Sequence, residues 1–146
     1  MSLVTIYGPN RDNPSFFDNI ASILAEFDSE FITMCGDMNM VQDYDLDCLN
    51  YVTRNNPKNR EALLGIQDGF RLVDPWRIHN ENLHRYTWFR KNPTKSARLD
   101  YFLTSEELMS MVEKPRILPG YRIDHSIITI ELRLSSFKKG KGILEI

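Results

Sequence analysis

The sequence predicts a single α/β domain with layered sheets, and three observations lead there. The chain opens as strand, helix, strand; several further strands crowd its second half; and 146 residues with 42% hydrophobic and 26% charged side chains suit one packed core. Leu3 to Tyr7 alternates in hydropathy as a strand does and stops at the turn signal Gly8-Pro9-Asn10. Asn13-Pro14 supplies an N-cap followed by proline at the first helical position. Phe16, Phe17, Ile20, Ile23, Leu24 and Phe27 then recur at helical spacing, which predicts a helix through about Asp28. Phe31 to Cys35 is a short apolar run, read as a buried strand ending at Gly36-Asp37.

From Val41 to Asn59 no period holds, although Asp43, Asp45 and Asp47 fall on alternate residues. A calcium loop would need a glycine at its sixth position and a late glutamate, and this stretch has neither. Arg60 to Phe70 reads as a short helix, with Leu72 to Trp76 as its exit. Arg85–Phe89 and Arg98–Thr104 are strand-like and flank the polar loop Arg90–Ala97, which predicts a hairpin. Ser105 to about Met111 reads as a brief helix, and Pro115–Leu118 and Ser126–Leu134 as the last strands. Residues 135–146 form a basic tail, expected to fray around Lys138–Gly142.

Composition narrows the function classes. No apolar run is long enough to span a bilayer and no signal peptide opens the chain, so no membrane role is expected. Cys35 and Cys48 give neither a disulfide framework nor zinc spacing, and Cys35 reads as a buried free thiol. A reducing, intracellular compartment follows, nuclear or cytoplasmic. Charge is uneven along the chain. Residues 1–84 carry 6 Lys and Arg against 13 Asp and Glu, whereas residues 85–146 carry 12 against 7. The basic half suits a phosphate-bearing partner, though charge bias is also what a solvated face looks like.

Polar residues gather where strands end, which is where open α/β sheets place their chemistry. Tyr7 and Asn10 close the first strand, Asp37 and Asn39 the second, Asp124 and His125 precede the last, and Asp100 lies inside Arg98–Thr104. Together these residues suit phosphodiester hydrolysis. Carboxylates hold Mg²⁺, which prefers oxygen ligands; Asp37 can deprotonate a water; Asn39, Asn10 and Tyr7 can donate to phosphate oxygens. An imidazole held by Asp100 or Asp124 can stay protonated and face the phosphate. Taken singly, Asp37 and Asn39 read first as turn formers. Asp100 differs, because a carboxylate among Leu99, Tyr101, Phe102 and Leu103 needs a buried partner or a task. His79 and His84 lie in a polar stretch and read as surface residues.

Five motifs stand in a telling order: Tyr7-Gly8-Pro9-Asn10, Gly36-Asp37-Met38-Asn39, Tyr86-Thr87-Trp88-Phe89, Arg98 through Ser105, and Asp124-His125. In this order the chain resembles the endonuclease/exonuclease/phosphatase superfamily from about Val4 to Leu134. With Asn13 through Phe17 after the first motif, it is most similar to the apurinic-like endonucleases of LINE-type retrotransposons. The resemblance implies the C-terminal half of a deoxyribonuclease-like two-sheet α/β sandwich, and a Mg²⁺-dependent (or Mn²⁺-dependent) enzyme that nicks DNA.

It assigns water activation to Asp37, phosphate contact to Asn39, Tyr7 and Asn10, and the catalytic imidazole to His125. Asp100 orients that imidazole, and Asp124 joins Asp37 as a metal ligand. The Arg90–Ala97 loop is implied to press on DNA, with Thr87 touching the target strand and Lys91, Lys95 and Arg98 attracting phosphates. A reverse transcriptase would follow the tail, although Ile143 to Ile146 departs from the expected aromatic-rich continuation. Ile123 also departs, standing where relatives commonly carry serine.

The family's early Asn, and the Glu that is its principal metal ligand, have no counterpart in the sequence. A truncated sandwich would expose an apolar sheet face, so a homodimer through that face is expected, with weak Mg²⁺ binding and feeble nicking. Two alternatives accompany this reading. One is another phosphodiesterase or phosphatase of the superfamily, and the other a non-catalytic module that binds DNA or protein.

Overall fold

A computed structural model describes residues 1–27, 29–120 and 123–133. β1 (Ser2–Tyr7) and β2 (Ile32–Asp37) run parallel, with α1 (Pro14–Ala25) as the crossover between them. The alternation of β1 turns Val4 and Ile6 into the core and leaves Leu3, Thr5 and Tyr7 exposed. α1 ends at Ala25, a turn earlier than its apolar spacing suggests, because the Glu26 and Phe27 amides close onto the Ile23 and Leu24 carbonyls.

β2 is an interior strand. Its far edge pairs antiparallel with β7 (Asp100–Ser105), which pairs in turn with the short β4 (Leu72–Val73), so the sheet order is β1-β2-β7-β4. α1 and α2 (Pro57–Gly69) cover one face of this sheet. Phe17, Ile20 and Leu24 of α1 and Leu63 and Ile66 of α2 pack with Val4, Ile6, Ile32, Met34 and Leu103. Each such side chain contributes roughly 1.5–3 kcal/mol on burial.

α2 starts three residues before its hydrophobic period does. Pro57 sits at its first turn after Asn56 in the left-handed region. Its cap comes from far away: the Asp12 carboxylate accepts from the Lys58 amide at 3.3 Å and the Asn59 amide at 2.9 Å. Buried Asn59 answers by accepting from the Asn13 amide (2.6 Å) and donating to the Arg11 carbonyl (3.1 Å). The loop after β1 is thereby fixed to the start of α2.

A second sheet has the order β3-β6-β5, with β3 at Cys48–Leu49, β5 at Trp88–Lys91 and β6 at Thr94–Ala97. This corrects the expected hairpin. Residues 90–91 and 94–97 are strand rather than loop, Trp88 pairs with Ala97 and Lys91 with Thr94, and the turn is only Asn92-Pro93. The Arg98–Thr104 stretch does not pair with Arg85–Phe89. The chain crosses at Arg98-Leu99 into the first sheet, because β7 has two neighbours there to satisfy its backbone.

α3 (Pro75–His79) follows β4 and is capped by Asp74, whose carboxylate accepts from the Arg77 amide. A 3-10 turn (Glu106–Met111) leads into β8 (Val112–Leu118), which pairs antiparallel with β9 (Ile127–Leu132). Just before β9, His125 bridges to Trp88, which ties this third sheet to the hairpin. The predicted end of the last strand at Leu134 and the basic tail lie outside the described residues. Among the described residues, no helix is long and apolar enough to cross a membrane.

Candidate active site

Strand register places three of the singled-out side chains in one row. Tyr7 at the end of β1 is the partner of Asp37 at the end of β2, and Asp37 is the partner of Asp100 at the start of β7. All three point away from the helix-covered face, since their neighbours Ile6 and Tyr101 are buried in the core beneath α1 and α2. His125 arrives from the segment before β9. Its Nδ1 lies 2.8 Å from Asp100 Oδ2, and its Nε2 lies 4.0 Å from Asp37 Oδ2.

The backbone around Asp37 leaves little freedom. Gly36 has φ +133, and a Cβ there would stand 2.0 Å from the Ile6 carbonyl oxygen, so only glycine fits before the carboxylate. Asp37 Oδ1 accepts from the Asn39 amide at 2.9 Å, with Asn39 itself in the left-handed region. Asn39 Nδ2 donates to the Gly8 carbonyl at 2.7 Å, which commits one of its two side-chain protons to the loop after Tyr7. The turn-forming reading of Gly36 to Asn39 is realised, and the turn aims the Asp37 carboxylate.

A cleft of about 340 Å³ opens over Tyr7 and Asp37 of this row, more than ten times the ~30 Å³ share of one water, so it admits a phosphate group. It is lined by Tyr7, Asn10, Asp37, Asn39, Asp124 and His125, all of them singled out by the sequence. Tyr51, Asn55, Trp88 and Leu99 complete its wall. Trp88 stands inside a recognised motif beside Thr87, whereas Tyr51 and Asn55 belong to the aperiodic stretch and leave no signal in the sequence.

Burial pushes the Asp37 carboxyl above the ordinary carboxylate range; the Asn39 amide and the His125 ring pull it back, while Asp100 and Asp124 raise it further. The result is a carboxylate that accepts a proton more readily than a free one. Asp124 sits exposed at the rim, its carbonyl accepting from the Phe89 amide at 2.9 Å.

Two expectations are corrected by burial. Arg98, expected to attract phosphates, is 1% exposed. Its guanidinium forks onto Asp47 (Nε to Oδ1 2.7 Å, Nη2 to Oδ2 2.9 Å), reaches Asp74 through Nη1, and lies between the rings of Trp76 and Tyr101. Burial alone would lower its pKa; the two carboxylates outweigh that and raise it, so it stays a cation with no face toward solvent. Thr87, expected to touch DNA, is fully buried, and its hydroxyl accepts from the backbone amides of Leu99 and Asp100.

Asp47 accounts for one of the alternating aspartates as an internal partner of Arg98, and Asp43 for another as an acceptor for the Asp45 and Leu46 amides. Lys91 is exposed at the hairpin, and Lys95 lies half-buried with its ammonium 5.3 Å over the Tyr51 ring. His79 and His84 are exposed and outside the cleft.

The donor set suits a hard divalent cation in part. Asp37, Asp100 and His125 bring ligand atoms within 4.8 Å of one another, but Asp100 and His125 Nδ1 already satisfy each other. Asp124 lies outside that group but lines the same cleft; it and Asp37 repel, and neither has a Lys or Arg partner among the described residues. Two oxygens of this kind suit Mg²⁺, which keeps several waters of its own.

No known family profile matches the chain. Solved structures do. The protein is similar to a 3′-5′ exonuclease (NExo) from Neisseria meningitidis (TM-score 0.70, 19% identity, covering 88% of this chain and 60% of that one). It is similar to an AP endonuclease from Archaeoglobus fulgidus (TM-score 0.75, 16% identity, 89% and 61%). It is also similar to the AP endonuclease LMAP from Leishmania major (TM-score 0.70, 18% identity, 82% and 43%). A variant of NExo described as a 3′ phosphatase was solved bound to a product DNA hairpin. At such identities the likeness establishes the fold, a mixed α/β arrangement of several sheets of the deoxyribonuclease I-like kind. The chain spans about 60% of the length of the exonuclease and of the Archaeoglobus enzyme.

Proposed function

We propose that this chain forms the phosphate-side part of a metal-dependent DNA endonuclease site, of the kind LINE-type retrotransposons use to nick their targets. The observation that carries the reading is the Tyr7–Asp37–Asp100 row closed by His125. In it Asp37, with a raised pKa and a free Oδ2, takes the proton of the attacking water. The water oxygen bonds to phosphorus as the bond to the leaving sugar oxygen breaks. Asp100 holds the imidazole through Nδ1, so Nε2 faces the cleft and donates to a phosphoryl oxygen. Tyr7, Asn10 and the uncommitted side-chain proton of Asn39 are the further donors on the cleft wall.

Mg²⁺, or Mn²⁺ in its place, supplies neutralisation of phosphate charge when bound, and Asp37 and Asp124 are the residues that would hold it. The cleft contains no glutamate among its described lining residues, and the family's principal Glu ligand has no counterpart in the sequence. The chain by itself is therefore proposed to bind Mg²⁺ weakly and to nick feebly. That same gap favours a second reading, a DNA-binding module whose catalytic residues go unused. Nuclear and cytoplasmic residence and a neighbouring reverse transcriptase belong to the retrotransposon reading. Leu3, 47% exposed on the face away from the helices, supports a homodimer through the part of that face remote from the cleft. A compact monomer in sedimentation would remove the dimer from the proposal.

The test is Mg²⁺-dependent nicking of supercoiled plasmid by this chain beside Asp37→Ala and His125→Ala. Nicking lost in both variants supports the assignment, and nicking retained in both overturns it. Salt-dependent duplex binding by a folded chain with no cleavage would favour the second reading.

A further inference from the structure

We infer that Thr87 is a positioning residue that sets Asp100 and His125 against each other for the reaction proposed above. Thr87 stands at the foot of β5 and is fully buried, so no substrate reaches its hydroxyl. That hydroxyl accepts two amides at once, from Leu99 at 2.9 Å and from Asp100 at 3.0 Å. Its two lone pairs allow this, and β-branching limits it to few χ1 positions, so the acceptor is fixed in space. The backbone of the same residue works in the other direction. The Thr87 amide donates to the Ala97 carbonyl (3.0 Å), and the Thr87 carbonyl accepts from the Ser126 amide at 2.6 Å.

One residue thus holds the backbone at Asp100 and the backbone next to His125. Asp100 belongs to β7 and His125 to the segment before β9, 25 positions apart in sequence, yet they meet at 2.8 Å. At the Arg98-Leu99 crossing the Arg98 amide and the Leu99 carbonyl have backbone partners in Asp47 and Met38, whereas the Leu99 and Asp100 amides turn to a side chain. The hydroxyl of Thr87 supplies the missing acceptor. Removing it leaves two inward-facing amides without a partner, and the start of β7 must shift to recover them.

The experiment compares Thr87→Val, which keeps the shape and loses the acceptor, with Thr87→Ser, which keeps the acceptor. Circular dichroism first establishes that each variant is folded. Hydrogen exchange of the Leu99 and Asp100 amides and the ring-nitrogen NMR signals of His125 are then measured, followed by kcat and KM for plasmid nicking. Thr87→Ser is expected to match the parent. Thr87→Val is expected to exchange those amides at least about tenfold faster, to move the His125 ring signals toward those of an unpaired imidazole, and to lower kcat about tenfold with KM within twofold.

A folded Thr87→Val protein with unchanged His125 signals overturns the inference. So does a rise in KM with kcat intact, which would make Thr87 a substrate contact. If Thr87→Val does not fold, Thr87→Cys carries the same comparison, because a thiol is the weaker acceptor. The ring-nitrogen measurement needs no turnover, so the inference can fail while the endonuclease reading stands, and the reverse.

Discussion

His125 places one ring nitrogen 2.8 Å from Asp100 and the other 4.0 Å from Asp37, so a single imidazole spans carboxylates on two adjacent strands. The two aspartates are direct partners in the antiparallel register, which fixes the spacing of their backbones. Such a pair would repel at the end of a sheet, and the imidazole between them offsets part of that repulsion.

Replacing either end of this relationship should remove chemistry before it removes structure. His125→Ala and Asp37→Ala are each expected to lower nicking by about 10²–10⁴-fold, the range for loss of a positioned acid or base. Asp100→Asn should act through His125, with a smaller loss of rate. Single-turnover nicking assays on the three variants give the ranking.

The raised pKa of Asp37 in the metal-free chain has a consequence of definite sign for stability. A raised folded pKa means that folding favours the protonated form, so this group's contribution is most favourable below its unfolded pKa and is lost as pH rises through the folded one. Asp37→Asn is therefore expected to melt higher than the parent at pH 7, with the gap closing at about pH 3, below the ordinary aspartate pKa. Equal melting temperatures at pH 7 would contradict this.

Arg98 predicts a purely structural loss. Arg98→Met leaves Asp74 without an ion-pair partner and Asp47 with Arg77 alone, and removing one partner of a buried pair costs about 3–5 kcal/mol. Arg98→Lys should recover little, because an ammonium cannot make the two-point fork onto Asp47. Chemical denaturation measures both. Neither variant should change the salt dependence of DNA binding beyond what partial unfolding explains.

Lys91 is the contrasting case. It is exposed on the hairpin, and Lys91→Ala should weaken duplex binding evenly across sequences. The salt slope should shrink by about 0.9, the share of a single neutralised phosphate. Melting temperature should stay where it is. Binding titrations at three or four salt concentrations decide this.

Gly120 offers a test of site geometry from outside the cleft. A Cβ at this position would lie 1.9 Å from the His125 carbonyl oxygen. Gly120→Ala must therefore displace the His125 backbone or its own, and nicking is expected to fall at least about tenfold in a protein that remains folded. Unchanged activity would show that the Gly120 backbone, not the histidine, gives way.

Much of the site is legible in the sequence because its residues sit at ends of strands that the sequence marks clearly. β1, α1 and β2 follow from alternation, an Asn-Pro start and an apolar run, and the row Tyr7–Asp37 follows from them once the strands are parallel. Asp100 is legible as a carboxylate out of place in an apolar strand, and His125 is the partner that explains it. What stays hidden depends on long-range interactions. Arg98 reads as a basic residue beside a basic loop, and nothing local announces that Asp47 and Asp74 converge on it from 51 and 24 positions away. α2 begins at Pro57 because Asp12 caps it from across the fold, although Asn56-Pro57 repeats the Asn-Pro signal that marks α1. The hairpin strands are concealed because Arg90, Lys91 and Lys95 are polar, as befits strands whose faces are mostly solvated.

The division of the strands between two sheets has an evolutionary corollary. The row that would carry the reaction belongs to the sheet built on interior β2 and β7, while the hairpin belongs to the other, joined there to the two residues of β3. The Asn92-Pro93 tip can lengthen, shorten or change its charge without disturbing any hydrogen bond that holds Asp37, Asp100 or His125. Target preference, if the hairpin sets it, is free to drift between lineages while the reactive groups stand still, and grafting foreign tips onto this frame is a direct way to retarget it.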